Sequence, residues 1–98
     1  MFDKFCFYAL TIRPRNGVTD DQVGKFETWV RNNCDYYYVI TEKLGTERHL
    51  HAGIFLKKPE STSNIATRLC RLFKDLDHDE RAVMRKGIRR MYNNDFVI

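Results

Sequence analysis

The segment from Arg48 to Lys57 reads R-H-L-H-A-G-I-F-L-K, and its alternation constrains the fold more than any other part of the chain. Successive side chains of a strand point to opposite faces of a sheet. The apolar positions of this segment therefore share one face: they are Leu50, Ala52, Ile54 and Leu56. His49 and His51 fall on the other face. The segment predicts a half-buried strand in a sheet that packs on one side and leaves the other side open.

Three further segments predict strands, and a fourth predicts a connection between strands. Runs rich in aromatic and β-branched residues, bounded by turn residues, are typical of strands. Such runs are Phe5–Ile12 and Asp35–Glu42, and Lys43–Arg48 with Gly45 is expected to form the hairpin loop that follows. Ala82–Tyr92 mixes Val, Ile and Met with four basic residues, and we interpret it as a last strand with a bulge at Gly87.

Two segments predict helices. Thr19 and Gln22 form a capping box, so a helix is expected to begin at Asp20 and to end at Asn32 and Asn33. Ser61 is expected to cap a second helix that stops near residues 77–79. Its apolar stripe consists of Ile65, Leu69, Leu72, Phe73 and Leu76. Asn93 or Asn94 could cap a short third helix at 95–98.

The predicted order is strand, helix, strand, strand, helix, strand. This is the order of an α+β, ferredoxin-like split βαβ sandwich, with an antiparallel sheet, helices on one face and an open face for substrate. Ninety-eight residues leave room for one core, so residues 1–98 are expected to form a single domain.

Composition narrows the class of protein. A hydrophobic content of 43% argues against disorder, and the apolar runs are far shorter than the roughly 20 residues of a membrane helix. No secretion signal is recognisable at the start of the sequence, so an intracellular location and no membrane partner are expected. Cys6, Cys34 and Cys70 are odd in number and lack C-x-x-C spacing. We expect them to be core or half-buried thiols rather than disulfides or zinc ligands.

The two histidines of the central strand predict a metal site. Residues two apart on a strand lie about 6 to 7 Å from each other, so His49 and His51 can converge on one ion. Glu42 ends the preceding strand, where it can lie opposite His49 on the same face. Two imidazoles and a carboxylate could hold zinc, but the set also suits Mn²⁺ or Mg²⁺ with a phosphate oxygen as a further ligand, and we predict Mn²⁺ or Mg²⁺. Ordinary exposed strand histidines are the alternative.

Basic residues lie at or beside the predicted strands, which indicates an anionic partner. The formal net charge is +4. Candidate phosphate contacts are Arg13, Lys57, Lys86, Arg89 and Arg90, each of which could instead be solvated surface charge. By alternation Tyr36 and Tyr38 share the face of Glu42, where a tyrosine ring could stack on a base, and Tyr38 is the candidate contact.

The motifs of this sequence resemble those of a known protein family, and the resemblance spans nearly the whole chain. The stretch H-L-H-A-G-I-F at 49–55 resembles the His-hydrophobe-His strand of HUH endonucleases, above all of the replication-initiator proteins of circular single-stranded DNA viruses. The run Y-A-L-T-I-R-P at 8–14 is similar to the first motif of that family, and Thr11 of this run is a further candidate DNA contact beside Arg13. Glu42 falls where the family has its acidic metal ligand.

The resemblance implies a metal-dependent nick in single-stranded DNA at the stem-loop of a replication origin. A tyrosine hydroxyl attacks the scissile phosphate and leaves a 5′-phosphotyrosine intermediate, and the reverse reaction rejoins the ends. Such a domain starts rolling-circle replication, and in a virus of a eukaryote it would act in the host nucleus. The full-length protein could form a homo-oligomer.

The sequence departs from the family at the nucleophile and in the first motif. The family carries its tyrosine in a Tyr-x-x-Lys motif on the helix after the last strand, but residues 92–95 read Y-N-N-D. The expected nucleophile is therefore either Tyr92 or a tyrosine past Ile98 in a longer chain, of which this one would be a truncated piece. The missing third helix would expose apolar surface of the sheet or helices, so this piece is expected to dimerise or exchange elements more readily than a longer chain. Arg48 stands where the family often has Pro, and Thr11 and Ile12 stand where it has Asn, so an origin sequence cannot be inferred.

Two other functions compete with this one. An RNA-recognition-like module would hold single strands on aromatic and arginine side chains without metal, although its K/R-G-F-G-F-V-x-F stretch is absent. A small zinc hydrolase with Glu47 as base is the weaker alternative, because the sequence has no H-E-x-x-H helix.

Overall fold

The computed structural model describes residues 4–45 and 47–91 of the chain. Four strands and three helices follow one another in these residues. In chain order they are β1 (Phe5–Ile12), α1 (Asp20–Asn33), β2 (Cys34–Leu44), β3 (Glu47–Glu60), α2 (Thr62–Leu72), α3 (His78–Lys86) and β4 (Ile88–Arg90).

The strands form one antiparallel sheet in the order β2-β3-β1-β4. The two central strands, β1 and β3, are neighbours in the sheet but not in the chain, because α1 and β2 lie between them. This arrangement is an α+β fold compatible with the ferredoxin-like class, as the sequence predicts.

The helices pack on one face of the sheet through a single apolar cluster. The sheet contributes alternate residues, among them Leu10, Ile12, Leu50, Ala52, Ile54 and Leu56, and the helices contribute Phe26, Val30, Ile65, Leu69 and Met84. The opposite face carries no described helix. The alternation of β3 therefore predicts the packed face correctly.

The start of α1 and the start of α2 are confirmed at the predicted residues. Thr19 accepts a hydrogen bond from the Gln22 backbone N–H at 3.1 Å, and the Gln22 side chain accepts from the Thr19 N–H at 2.9 Å. The Ser61 hydroxyl accepts from the Asn64 N–H at 3.1 Å. These bonds satisfy backbone N–H groups that the first turn of a helix leaves without a partner.

The predicted last strand over Ala82–Tyr92 is wrong for most of its length, because residues up to 86 belong to α3. Asp77 caps this helix: its side chain accepts from the Glu80 N–H at 2.8 Å, and Glu80 reaches back to the Asp77 N–H at 3.3 Å. Gly87 ends α3, rather than forming a bulge inside a strand. Only the short β4 remains of the predicted strand.

Two connections also differ from the prediction. The second helix ends at Leu72 rather than near residue 77, and the Leu76 N–H bonds to the Phe73 carbonyl in the turn that follows. Phe73 and Leu76 nevertheless stay buried. The hairpin between β2 and β3 is tighter than the predicted six residues, because pairing continues to Leu44 and Glu47. Gly45, at a φ of +64°, provides the left-handed backbone that such a tight hairpin needs.

Candidate functional site

The candidate site lies on β3, on the sheet face opposite the helices. His49 and His51 alternate with Leu50 and Ala52, and the two apolar residues are buried in the core. His49 is itself 8% exposed and His51 is half-buried, so both imidazoles are packed among neighbours of the open face.

Cross-strand pairing brings the predicted acidic residue beside the histidines. Glu42 on β2 is the direct partner of His49, as the sequence predicts. Ile40 and Thr11 flank His51 on its two sides, because β2 and β1 both pair with β3 at this residue. Directly opposed residues of antiparallel strands share a face. Glu42, His49, His51 and Thr11 therefore form one surface.

Each imidazole holds one buried nitrogen that has no hydrogen-bond partner among the described residues. These atoms are Nδ1 of His49 and Nε2 of His51. A buried polar atom without a partner is uncommon and calls for an explanation such as a bound ion. Nε2 of His49 lies 3.7 Å from a carboxylate oxygen of Glu47, which is longer than a hydrogen bond.

These donors fit a divalent cation in kind, since imidazole nitrogen and carboxylate oxygen are both common metal ligands. They are not gathered in the side-chain conformations of the structure: the described residues contain no cluster of three or more His, Cys, Asp or Glu side chains placed to hold an ion. The backbone register thus places Glu42, His49 and His51 together, and side-chain rotation would have to complete the ligand set.

The predicted nucleic-acid contacts divide between the two faces of the sheet. Thr11, Tyr38 and Arg89 lie on the open face, where they pair with His51, Gly53 and Ala9 respectively. Arg13 follows the end of β1 and Lys86 ends α3, and both side chains are exposed. The Thr11 N–H donates to the Gly87 carbonyl at 3.0 Å, which holds the end of α3 beside β1.

Two predicted contacts lie apart from this group. Arg90 pairs with Tyr8, whose side chain is in the core, and its guanidinium stacks 3.6 Å from the centre of the Phe5 ring. Lys57 is exposed near the far end of β3, past an irregularity in the pairing with β1. The structure does not bring either residue to the histidines.

The sequence analysis places Tyr36 on the open face but misses the two phenylalanines that extend it into a row of aromatic rings. Phe7 and Phe55 lie with ring centres 4.3 Å apart, and Tyr36 lies 6.0 Å from Phe55. These residues belong to β1, β3 and β2, so the row crosses three strands. The Tyr38 ring covers Gly53, where any added Cβ would overlap it. The alternation of the three strands, applied to every aromatic residue, would have found this row.

The groups with a displaced pKa lie outside this surface. Burial raises the pKa of the Tyr8 hydroxyl, which donates to the Glu60 carbonyl at 2.6 Å. Burial also raises the pKa of the Cys34 thiol to about 11. Cys34 is buried and Cys6 and Cys70 are half-buried, all as free thiols, which confirms the prediction for the three cysteines.

Tyr92, one of the two candidates for the nucleophile, lies outside the described residues, as does the short helix predicted at 95–98. None of the described helices is long and apolar enough to cross a membrane. Comparison of the chain with models of protein families, with curated proteins and with solved structures finds no match.

Proposed function

We propose that this chain is a metal-dependent endonuclease domain that nicks and rejoins single-stranded DNA at a replication origin. One observation carries the proposal: Glu42 is paired with His49, His51 follows on the same face, and each imidazole holds a buried nitrogen without a partner. The resemblance of this strand to that of HUH endonucleases supports the same function.

In this proposal Glu42, His49 and His51 hold Mn²⁺ or Mg²⁺. A bound divalent ion stabilises negative charge on the scissile phosphate. The Thr11 hydroxyl and the Arg89 guanidinium, on the same face, are donors suited to phosphate oxygens and would position the DNA backbone.

The nucleophile is a tyrosine hydroxyl, from Tyr92 or from a tyrosine in a longer chain. Its oxygen forms a bond to phosphorus while the bond from phosphorus to the 3′ oxygen breaks. The tyrosine loses its proton and the leaving 3′ oxygen gains one, so the products are a 5′-phosphotyrosine and a free 3′ hydroxyl. Attack of that hydroxyl on the phosphotyrosine rejoins the strand.

The first test is Mn²⁺ binding by isothermal titration calorimetry. We expect one site per chain, lost or strongly weakened in His49→Ala, His51→Ala and Glu42→Ala. Matched controls are His78→Ala and Glu27→Ala, because both side chains are exposed on helices away from this face. Absence of Mn²⁺ binding by the parent chain, or equal loss in the controls, would refute the metal site.

Thermal unfolding provides a second measurement. Saturation at about 100 times the dissociation constant should stabilise the parent chain by roughly 2.7 kcal/mol. His51→Leu removes an unpartnered buried nitrogen, so without metal it should be at least as stable as the parent, and metal should not stabilise it. A variant that is stable without metal but gains no stability from metal has lost binding and not folding.

The nicking step is tested with labelled single-stranded DNA containing a stem-loop, analysed on denaturing gels. A covalent adduct that depends on Mn²⁺ and disappears in Tyr92→Phe would identify Tyr92 as the nucleophile. An adduct formed only by a longer chain would place the nucleophile past Ile98.

A second candidate, a single-stranded nucleic-acid-binding module that needs no metal, is favoured by the aromatic row of Phe7, Phe55 and Tyr36. Aromatic side chains on a sheet stack on unpaired bases. Fluorescence anisotropy with single-stranded DNA and RNA in EDTA separates the two functions. Tight binding in EDTA that Tyr36→Ala weakens, with no Mn²⁺ site in calorimetry, would support the module.

A further inference from the structure

Most of the large hydrophobic side chains that are exposed among the described residues lie on β2. Large hydrophobic side chains that are exposed number five among the described residues, and four of them are Tyr36, Tyr37, Tyr38 and Ile40 of β2. By their pairing with β3, Tyr36, Tyr38 and Ile40 lie on the open face and Tyr37 on the other face, so both faces of this strand carry exposed apolar side chains. Clustered exposure of this kind marks an interaction surface more often than isolated exposed residues do.

β2 is also an edge strand. It pairs with β3 along one side, and no strand among residues 4–45 and 47–91 pairs with its other side. An edge strand presents a row of backbone N–H and C=O groups to any strand that can pair with it. Residues 36–41 of this edge contain neither a charged residue nor proline, two of the usual means by which proteins prevent such pairing. A third means is a β-bulge, and the one irregularity in the pairing of β2 with β3 lies before this segment, between Cys34 and Tyr36.

The sequence of β2 is complementary to itself in one antiparallel register. With Val39 opposite Val39 of a second copy, Asp35 lies opposite Lys43 and, by symmetry, Lys43 lies opposite Asp35. The same register sets Tyr37 opposite Thr41 and Tyr38 opposite Ile40. Opposite charges and aromatic with β-branched residues are the favourable cross-strand pairs.

Neighbouring registers lose the charge match. Centring the pair on residue 38 sets Asp35 opposite Thr41, and centring it on residue 40 sets Lys43 opposite Tyr37. Within its own chain Lys43 pairs with Arg48, a like charge, and no ion pair among the described residues involves Asp35 or Lys43. Their charges therefore remain available to a second copy.

We propose that β2 pairs with β2 of a second copy of this chain, antiparallel and centred on Val39. The two-fold axis stands normal to the sheet, so the four strands of each copy join into one continuous sheet. Both open faces then lie on the same side of that sheet. The proposal rests on the edge of the sheet alone and does not depend on the proposed nuclease function.

The exposed area indicates a weak dimer. At roughly 200 Å² per tyrosine side chain, exposed fractions of 68%, 42% and 43% leave roughly 300 Å² of tyrosine surface on each copy. Edge-to-edge pairing covers only part of this surface, because the open faces stay uncovered, so two copies together bury at most roughly 600 Å² from these residues, below the roughly 1,200 Å² of a stable standard interface. We therefore expect association in the micromolar range or weaker.

The test is sedimentation velocity from micromolar to near-millimolar concentrations, in EDTA and without DNA. Asp35→Lys and Lys43→Asp each set like charges opposite one another at both ends of the pair, and each should weaken dimerisation about tenfold. The double variant D35K/K43D restores opposite charges and should dimerise like the parent. Lys74→Asp and Asp75→Lys, exposed in the turn after α2, are controls matched in charge.

Circular dichroism and thermal unfolding check that each variant is folded. Lys43→Asp sets a carboxylate opposite Arg48 on β3, so the monomer should not lose stability. Loss of dimer in both single variants and its recovery in the double variant would establish the pairing. A parent chain that is monomeric at every concentration would overturn it. So would a dimer whose affinity the single substitutions leave unchanged, or one that the double variant fails to recover.

Discussion

Gly87 joins α3 to β4 at a point where the chain has no room for a side chain. Its φ of −82° is open to any residue, so backbone conformation does not require glycine here. Glycine is required by the lack of space. An added Cβ would lie closer than 3.0 Å to the Thr11 carbonyl oxygen and 3.3 Å from the Met84 carbonyl oxygen. Both neighbours are backbone atoms, which move only if β1, α3 or β4 moves with them.

Gly87→Ala should therefore destabilise the chain by about 1–3 kcal/mol, the usual range for overpacking a tight site. For a domain of this size that lowers the melting temperature by roughly 4 to 20 °C. The control is the same substitution at Gly24, exposed in α1, where an added Cβ meets nothing within 4 Å. Gly24→Ala should stabilise by about 0.5–1 kcal/mol, because alanine favours the helix.

Urea unfolding followed by circular dichroism measures both variants under one condition. The two sites share no contacts, so the free energies should add in the double variant within about 0.5 kcal/mol. A Gly87→Ala chain as stable as the parent would show that β1 and α3 are not held together as described. The explanation of Gly87 by space rather than by conformation would then be wrong.

Further substitutions probe a helix cap, a buried hydroxyl and a titrating carboxylate. Ser61→Ala removes the cap of α2 and should lower the free energy of unfolding by about 1 kcal/mol in urea titrations. Tyr8→Phe keeps the ring but removes the hydrogen bond to the Glu60 carbonyl, which should reduce the urea midpoint by the equivalent of about 0.5–1.5 kcal/mol. The Glu80 backbone N–H and the Arg15 guanidinium hold the pKa of Asp77 below its usual value. Its contribution to stability is thus present above the unfolded pKa of about 3.9 and is lost as pH falls through the lower, folded pKa. Asp77→Asn should lower stability at neutral pH and lose less of it during acidification, as measured by unfolding from pH 7 downwards.

The elements that sequence predicts well are those with a strong local signal. The Thr19 capping box and the Ser61 cap place two helix starts correctly, because a cap is a hydrogen bond between residues three apart. The alternation of β3 predicts both the core face and the side of His49 and His51. Caps and strand alternation are predictable because each depends on residues that are close together in the sequence.

Residues 82–92 carry two conflicting signals, a composition typical of a strand and a helix cap just upstream, and the cap determines the structure of the first half. Val83 and Ile88 favour a strand, but Asp77 and Glu80 form a capping box just upstream, and only Met84 of α3 is buried. With a single buried residue the helix shows little apolar periodicity. Its start could have been predicted from the D-x-x-E spacing, whereas its end depends on the tight contact of Gly87 with Thr11, which is invisible in sequence.

The site was predictable to the level of backbone register and no further. The pairing of Glu42 with His49 follows from a hairpin between adjacent strands, although the hairpin is tighter than expected. Side-chain rotation is not encoded in such patterns, so the approach of Glu47 to His49 was not expected. Arg90 lies on the same face of the sheet as the core residue Tyr8. This placement depends on the register of the three-residue strand β4, which a prediction of one long strand over 82–92 does not give.

The two histidines of β3 are unfavourable for folding, which indicates that they serve another purpose. A buried nitrogen without a hydrogen-bond partner is unfavourable by about 1–3 kcal/mol, so folding alone favours an apolar side chain at His49 and His51. Departures from the residues that folding favours are expected at functional sites. A ligand that binds these nitrogens only in the folded chain reverses the sign of their contribution, because binding adds to the free energy of unfolding. The same two atoms that weaken the metal-free chain would then strengthen the loaded one, so stability measured with and without metal tests the metal site directly, and the nicking assay tests the reaction.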